Sequence, residues 1–101
     1  MSRVYFVYIL TNSTRSVLYT GVTNDLVRRL TEHALGTGSD FTRRYHVSTL
    51  IYVEMFGSVV DAITREKQIK NYSRARKERL IKEKNLLFAD ISREIATLRS
   101  Q

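Results

Sequence analysis

Four side chains suited to phosphate chemistry lie in the first third of the chain. Tyr8 lies in an aromatic, β-branched segment, and Tyr19 follows eleven residues later, two residues before Gly21. Arg29 and His33 are four residues apart and share one face if their segment is helical. A guanidinium fork binds phosphate oxygens, hydroxyl and imidazole groups move protons, and a glycine lets the backbone approach a ligand closely. The spacing therefore indicates chemistry on a phosphate ester.

A fifth candidate, Glu66, falls on an otherwise apolar helical stripe in the second half of the chain. The other members of that stripe are Val59, Ala62 or Ile63, and Ile69. A buried carboxylate is costly unless it is paired or bound to a metal. We therefore expect Glu66 to meet either a basic partner, such as Arg65 or Lys70, or a cation.

Each of these residues also has an ordinary structural explanation. Tyr8 and Tyr19 suit any β-sheet, and Arg29 could pair with Asp25 one turn earlier. A single histidine such as His33 is more often structural than catalytic, and a basic helical segment is usually a solvated face. The functional interpretation depends on the residues occurring together.

Composition limits the classes of protein that fit. A chain of 101 residues that is 43% hydrophobic predicts one compact domain. The absence of cysteine excludes disulfides, thiolate metal sites and thiol nucleophiles. No long apolar run is present, so no membrane span is expected, and we predict a soluble, cytoplasmic protein.

The charge of the chain favours a polyanionic partner. The formal net charge is +7, and residues 62–84 contain nine Lys or Arg against three Glu. Such an excess on one part of the chain is typical of proteins that bind nucleic acid.

The alternation of apolar residues predicts three strands. Residues 3–10 are apolar on both faces and should form the central strand, residues 17–22 should return as the second strand of a hairpin, and residues 49–56 should form the third. If the hairpin loop is centred between Ser13 and Thr14, Tyr8 lies directly opposite Tyr19 on one face.

Capping signals and helical spacing predict the helices. Asn24 should cap a first helix that ends at Gly36, and residues 36–44 should form a mobile basic loop. Ser58 and Ser73 should cap a second and a third helix, with Ala75, Leu80 and Ile81 of the third pointing inward. The spacing of Ile91, Ile95 and Leu98 predicts a last amphipathic helix.

Taken together, these residues resemble the GIY-YIG nuclease domain. The half-motifs correspond to Phe6-Val7-Tyr8 and Tyr19-Thr20-Gly21, followed by Arg29, His33 and the distant Glu66. The resemblance runs from about Val4 to Ile81 and is strongest to the small stand-alone bacterial members. Phe6 replaces the usual first glycine, and Thr20 replaces the usual aliphatic residue.

The resemblance implies an α+β fold and a metal-dependent reaction. It implies a small antiparallel three-stranded sheet flanked by helices in β-β-α-β-α-α order, and we assign this domain to residues 1–84. Residues 85–101, which the resemblance does not cover, are expected to form a C-terminal helical extension of the same domain. By position, Tyr8 and Tyr19 match the two motif tyrosines, Arg29 the phosphate-binding arginine, His33 the histidine one turn on, and Glu66 the metal ligand. The expected reaction is hydrolysis of DNA phosphodiesters with Mg²⁺ or Mn²⁺, in repair or recombination, with RNA not excluded.

Two points remain open from the sequence. A tyrosine with an ordinary pKa of about 10 is a poor base at neutral pH, so either Tyr8 or Tyr19 would need a metal, Arg29 or imidazole beside it. The alternative function is a non-catalytic module that grips nucleic acid with its basic helices. The candidate nucleic-acid-binding residues are Gly21, Arg43, Arg44, Lys67, Lys70, Arg74, Arg76 and Lys77.

Overall fold

Three antiparallel strands form the sheet on which the helices pack. The computed structural model describes residues 3–99, with side chains described for residues 3–95. Strand β1 spans Tyr5–Thr11, β2 spans Leu18–Thr23 and β3 spans Thr49–Phe56, in the spatial order β2-β1-β3. The prediction that the first strand is central is confirmed.

Strand β1 is apolar on both faces because each face is covered by helices. Val7 and Ile9 belong to one buried cluster, and Tyr8 and Leu10 belong to a second cluster on the opposite face. Helices from the C-terminal half cover the first cluster. The second face carries the candidate site.

The hairpin register differs by two residues from the predicted one. Leu10 lies opposite Tyr19, and Tyr8 lies opposite Gly21, so the prediction that the two tyrosines are directly opposed is wrong. A shift of two residues keeps both rings on the same face.

The β1–β2 loop explains this shift. The Oδ1 atom of Asn12 accepts hydrogen bonds from the backbone N–H groups of Ser16 and Val17, at 2.9 and 3.1 Å. Arg15 adopts a left-handed conformation with φ of 59°. These side-chain contacts close the loop over residues 12–17, one position further along the chain than predicted. Such contacts leave no periodic signal in the sequence.

Two helices follow the hairpin. Helix α1 spans Leu26–Ala34 and is capped by Asp25, whose side chain accepts from the backbone N–H of Arg28, so Asn24 is not the cap. Gly36 ends the helix region with φ of +78°, as its position predicts. The short helix α2 spans Asp40–Arg44. The predicted mobile loop is therefore wrong for residues 40–44, and α2 is an addition to the predicted order of elements.

Helices α3 and α4 cover the first face of the sheet. Helix α3 spans Val59–Lys70 and α4 spans Arg74–Lys82, and the predicted caps Ser58 and Ser73 are both confirmed. Ala62, Ile69 and Ile81 are completely buried against β1 and β3. Ala75, which was predicted to point inward, is exposed because the inward-facing side of α4 centres on Ile81.

Helix α5 spans Ser92–Arg99 and packs on the second face. Its approach is fixed by the backbone N–H of Ile91, which donates to the carbonyl of Leu50 at 2.9 Å, and Ile95 is buried. The side chain of Leu98 lies outside the described residues. Across residues 3–99, no helix has both the length and the apolar composition that a bilayer span requires.

Candidate active site

Tyr8 and His33 meet at the centre of the second sheet face. Tyr8 lies on the central strand, and His33 lies in the last turn of α1, which crosses this face. The Tyr8 hydroxyl is 3.2 Å from Nε2 of His33, and the two side chains are almost completely buried. The structure thus brings together two of the predicted residues that are 25 positions apart in the chain.

Tyr19 completes an aromatic group around the same histidine. Its ring centroid lies 6.4 Å from that of Tyr8 and 5.6 Å from that of His33. The ring of Phe41, from α2, stacks on Tyr19 at 5.9 Å. The sequence analysis did not assign a role to Phe41, because its segment was predicted to be a mobile loop.

Two glycines make room for this group. A Cβ atom on Gly21 would lie 2.5 Å from the Tyr8 hydroxyl oxygen, and a Cβ atom on Gly38 would lie 2.3 Å from Nδ1 of His33. Both positions therefore require glycine unless Tyr8 or His33 moves. Gly38 was not predicted, although an isolated glycine close to an interior histidine is the kind of signal that could have indicated it.

Arg29 borders the Tyr8 hydroxyl from α1. Its Nη1 atom pairs with Oε1 of Glu32 at 3.2 Å, whereas Asp25 caps the helix and is not its ion-pair partner. The Nε–H group of Arg29 is buried and has no hydrogen-bond partner among the residues that the structure describes. A buried donor of this kind is available for an acceptor on a ligand.

The environment raises the pKa of Tyr8 and lowers that of His33. Burial raises the pKa of Tyr8 above its ordinary value, and the Arg29 guanidinium opposes this change only partly. Burial also lowers the pKa of His33, and the charge of Arg29 lowers it further. The imidazole is therefore neutral at pH 7, and one of its nitrogens is free to accept a proton.

The second nitrogen of His33 is held by α2. Nδ1 lies 2.9 Å from the hydroxyl of Thr42, which is itself 2.9 Å from the hydroxyl of Ser39. Thr42 is completely buried, and its hydroxyl also reaches the backbone carbonyl of Ser39 at 3.2 Å. Helix α2 thus holds the His33 ring in place through the Thr42 hydroxyl.

Glu66 is buried as predicted, but it lies on the helix that covers the other sheet face. Its Oε2 atom pairs with Nζ of Lys70 at 2.6 Å, one helical turn away. Among residues 3–95, no hydrogen bond joins Glu66 to Tyr8, Tyr19 or His33. Nor do the described residues include a group of three histidine, cysteine or acidic side chains placed to hold a metal ion.

The predicted basic residues divide into two groups. Arg74 is held by Glu78 at 2.9 Å and donates to the backbone carbonyls of Ser16 and Arg15, so it joins α4 to the hairpin loop. Arg76 lies over the ring of Tyr72 at 4.0 Å. These two arginines have structural partners as well as positive charge.

The second group consists of Arg43, Arg44, Lys67 and Lys77. Arg43 pairs with the exposed Asp40 at 3.1 Å, and Arg44 lies 5.8 Å from the centre of the Tyr45 ring. Lys67 is exposed, and Lys77 is half-buried. This group leaves positive charge available to a polyanion.

A charged contact between β3 and α3 was not predicted. Nε of Arg65 pairs with Oε1 of Glu54 at 2.9 Å, and the hydroxyl of Tyr52 donates to the same carboxylate. Burial alone would raise the pKa of Glu54, but the hydrogen bonds from Arg65 and Tyr52 outweigh it and lower the pKa. The pair fixes the residue next to Glu66 and hence the position of that turn of α3.

The three-stranded α+β fold carries paired tyrosines, an arginine and a histidine on one sheet face, and its sequence matches a small GIY-YIG-type nuclease domain. The GIY-YIG catalytic domain model matches residues 4–79, and the chain belongs to the GIY-YIG family. A UPF0213 protein from Natronomonas pharaonis is 41% identical over 81 residues, which are 80% of this chain and 94% of that protein. A UPF0213 protein from Staphylococcus aureus is 41% identical over 80 residues, which are 79% and 96% of the two chains.

A solved structure has the same fold. The solution NMR structure of a UPF0213 protein from Bacillus halodurans gives a TM-score of 0.55 at 35% identity. The match covers 86% of this chain and 92% of that one. The predicted family and the predicted fold class are both confirmed.

Proposed function

We propose that the protein is a metal-dependent endonuclease that hydrolyses phosphodiester bonds in DNA and selects its substrate by structure more than by sequence. The observation that carries this proposal is the convergence of Tyr8, Tyr19, Arg29 and His33 on one sheet face, where a buried donor of Arg29 has no partner among residues 3–95. We place the activity in DNA repair or recombination in the cytoplasm.

Arg29 is the residue that binds the scissile phosphate. Its guanidinium presents a planar set of donors that matches two phosphate oxygens, and the buried Nε–H has no competing acceptor among the described residues. At Nη1, phosphate binding requires only that a phosphate oxygen replace the carboxylate of Glu32. The side chains of this Arg29–Glu32 ion pair are about one-third exposed. Charge that develops on the phosphate is then met by a preorganised cation.

Tyr8 is the residue that receives the proton of the attacking water, since it is the tyrosine with a hydrogen bond to His33. As the new P–O bond forms, one water proton passes to the Tyr8 oxygen, and the Tyr8 proton passes to Nε2 of His33. The bond to the leaving oxygen breaks, and that oxygen takes a proton from solvent. Tyr19 and Phe41 form the adjoining wall against the substrate.

The pKa values of Tyr8 and His33 indicate whether the proton transfers precede or accompany the attack of water. The ordinary pKa values of tyrosine and histidine, 10.0 and 6.5, differ by an amount that corresponds to about 5 kcal/mol. Burial of both groups widens this gap. A separate phenolate–imidazolium pair is therefore too costly, and proton transfer accompanies the attack of water.

Glu66 is the residue that would hold the metal. Its carboxylate already holds a cation, the ammonium group of Lys70, and a single carboxylate fits Mg²⁺ or Mn²⁺ because such ions keep several waters and accept substrate oxygens. When bound, the metal would supply Lewis-acid stabilisation of the charge on phosphate. The side chain of Lys70 is 52% exposed, so it can turn into solvent.

The ion pair of Glu66 with Lys70, on the helix that covers the opposite face, also favours a second candidate function. A non-catalytic module would keep this pair and bind DNA through its basic surface alone. Its affinity would fall steeply with salt and would not depend on a divalent metal.

Incubation with a panel of branched, nicked and single-stranded DNAs, with Mg²⁺, with Mn²⁺ or with a chelator, separates the two functions. The nuclease proposal predicts metal-dependent cleavage that differs among DNA structures and varies little with sequence. Salt-sensitive binding with no cleavage of any substrate would support the binding module instead. Cleavage at one short sequence, whatever the DNA structure, would contradict the proposed selectivity.

A further inference from the structure

We propose that Thr42 is a positioning residue that keeps the proton of neutral His33 on Nδ1, so that Nε2 always faces Tyr8 as an acceptor. The statement about the tautomer rests on geometry alone. Its consequence for catalysis rests on the proposed function.

The argument begins with the hydroxyl proton of Tyr8. Tyr8 is 1% exposed, and among residues 3–95 the only acceptor within hydrogen-bond distance of its hydroxyl is Nε2 of His33, at 3.2 Å. The neighbouring guanidinium of Arg29 has donors only. If Nε2 carried the proton, the buried hydroxyl proton of Tyr8 would have no acceptor, which is a costly arrangement. The Nε2 atom is therefore the acceptor.

The other ring nitrogen must then be a donor. A neutral imidazole carries one proton, so an unprotonated Nε2 requires a proton on Nδ1. The Nδ1 atom lies 2.9 Å from the hydroxyl oxygen of Thr42, which can accept this hydrogen bond. Thr42 thus supplies the acceptor for the Nδ1–H group of the required tautomer.

Ser39 makes the Thr42 oxygen available for this role. The single hydroxyl proton of Thr42 is directed to the backbone carbonyl of Ser39 at 3.2 Å, and a carbonyl can only accept. The hydroxyl of Ser39 lies 2.9 Å from the same Thr42 oxygen and accepts from the backbone N–H of Thr42. With its proton used in this way, Thr42 presents a lone pair to His33.

The backbone around α2 holds this arrangement in place. Ser39 is the N-cap of the helix, so its position is set by the turn that also carries Thr42. Gly38 lies against Nδ1 so closely that a methyl group would not fit. The chain of contacts from Ser39 through Thr42 and His33 to Tyr8 therefore fits a proton on Nδ1 of His33.

The test is ¹⁵N NMR of the imidazole in wild-type protein, Thr42→Val and Thr42→Ser. The proposal predicts a pyrrole-type Nδ1 and a pyridine-type Nε2 for His33 in wild type and in Thr42→Ser, which keeps the hydroxyl. Thr42→Val keeps the branched shape but has no acceptor, so the protonated nitrogen should change or become mixed. Wild-type protein with a proton on Nε2 would overturn the proposal, even if the Val variant does not fold.

Cleavage measurements separate this inference from the proposed function. If the protein cleaves DNA, Thr42→Val should lower kcat by about tenfold or more while KM changes little, and Thr42→Ser should retain activity. An unchanged kcat in a Val variant with an altered tautomer would contradict the positioning role. If wild type cleaves nothing but shows the predicted tautomer, the proposed function fails and the assignment of the proton stands.

Discussion

At the scale of single residues, Arg29 carries a buried hydrogen-bond donor. Its buried Nε–H has no partner among the described residues, although burying an unpaired donor destabilises a protein. Such a group is typical of a site that is complete only with its ligand. The spacing of Arg29 and His33 predicted that they share a helix face, but only the packing of α1 on β1 determines which donor is left free.

The fork geometry of Arg29 leads to a first prediction. Arg29→Lys keeps the charge but loses the planar donors, so turnover should fall by about a hundredfold while DNA affinity changes much less. The matched control is Arg28→Lys, since Arg28 is an exposed neighbour on the same helix. Near-normal single-turnover cleavage by Arg29→Lys would mean that the residue acts only as a point charge.

Gly38 gives a second prediction at this scale. Gly38→Ala would place a methyl group 2.3 Å from Nδ1 of His33, so His33 or α2 must move. Thermal unfolding should show a loss of about 1–3 kcal/mol, and cleavage should fall with it. Gly57→Ala is the control because, among the residues that the structure describes, no atom of another part of the chain lies within 4 Å of its Cβ position. Equal behaviour of the two variants would show that the close contact is unimportant.

At the scale of elements, the sequence predicted what depends on local periodicity. The alternation of residues 49–56 and the serine caps at Ser58 and Ser73 correspond closely to β3, α3 and α4. The hairpin register and α2 were missed because side-chain hydrogen bonds, which leave no periodic signal in the sequence, determine them. The side chain of Asn12 closes the hairpin loop by accepting backbone hydrogen bonds. In α2, the hydroxyl of Thr42 is hydrogen-bonded to His33, nine residues earlier in the chain.

The contact between β3 and α3 gives a prediction about acid stability. The pKa of Glu54 is lower in the folded protein than its ordinary value of 4.5, so the stabilisation by Arg65 is fully present above that pH and is lost as the pH falls through the folded value. Glu54→Gln should destabilise the protein by about 2 kcal/mol at pH 7 and flatten the fall in stability below pH 4.5.

Urea unfolding between neutral and acidic pH measures this effect. Glu78→Gln serves as the control because it removes an i,i+4 pair on α4 that is more exposed. A Glu54→Gln curve parallel to that of wild type across the acid range would contradict the role assigned to the pair.

At the scale of the whole molecule, the chain combines a net charge of +7 with a compact candidate site. The sequence predicted this charge, but it did not show that Arg74 and Arg76 are partly occupied by Glu78 and Tyr72. The ion pair of Arg43 with Asp40 is more exposed than that of Arg74 with Glu78, so the two arginines on α2 are the better candidates for contacts with the DNA backbone. Phosphate contacts of this kind carry no base identity.

These two arginines give a prediction about salt dependence. Arg43→Ala with Arg44→Ala should weaken binding to all DNA sequences alike, and the slope of log affinity against log salt should become shallower by about 2 if each contacts one phosphate. Fluorescence anisotropy over a range of salt concentrations measures this slope. Loss of affinity for one sequence alone would assign these residues to base reading instead.

The central claim is that cleavage depends on a metal held at Glu66, and single-turnover cleavage of a branched DNA with Mg²⁺ tests it most directly. Glu66→Gln should lower the rate by at least about a hundredfold while DNA binding is retained, because a metal ligand acts on the chemical step. Glu78→Gln, which also removes an i,i+4 ion pair on a basic helix, should cleave like wild type. Undiminished metal-dependent cleavage by Glu66→Gln would contradict the account.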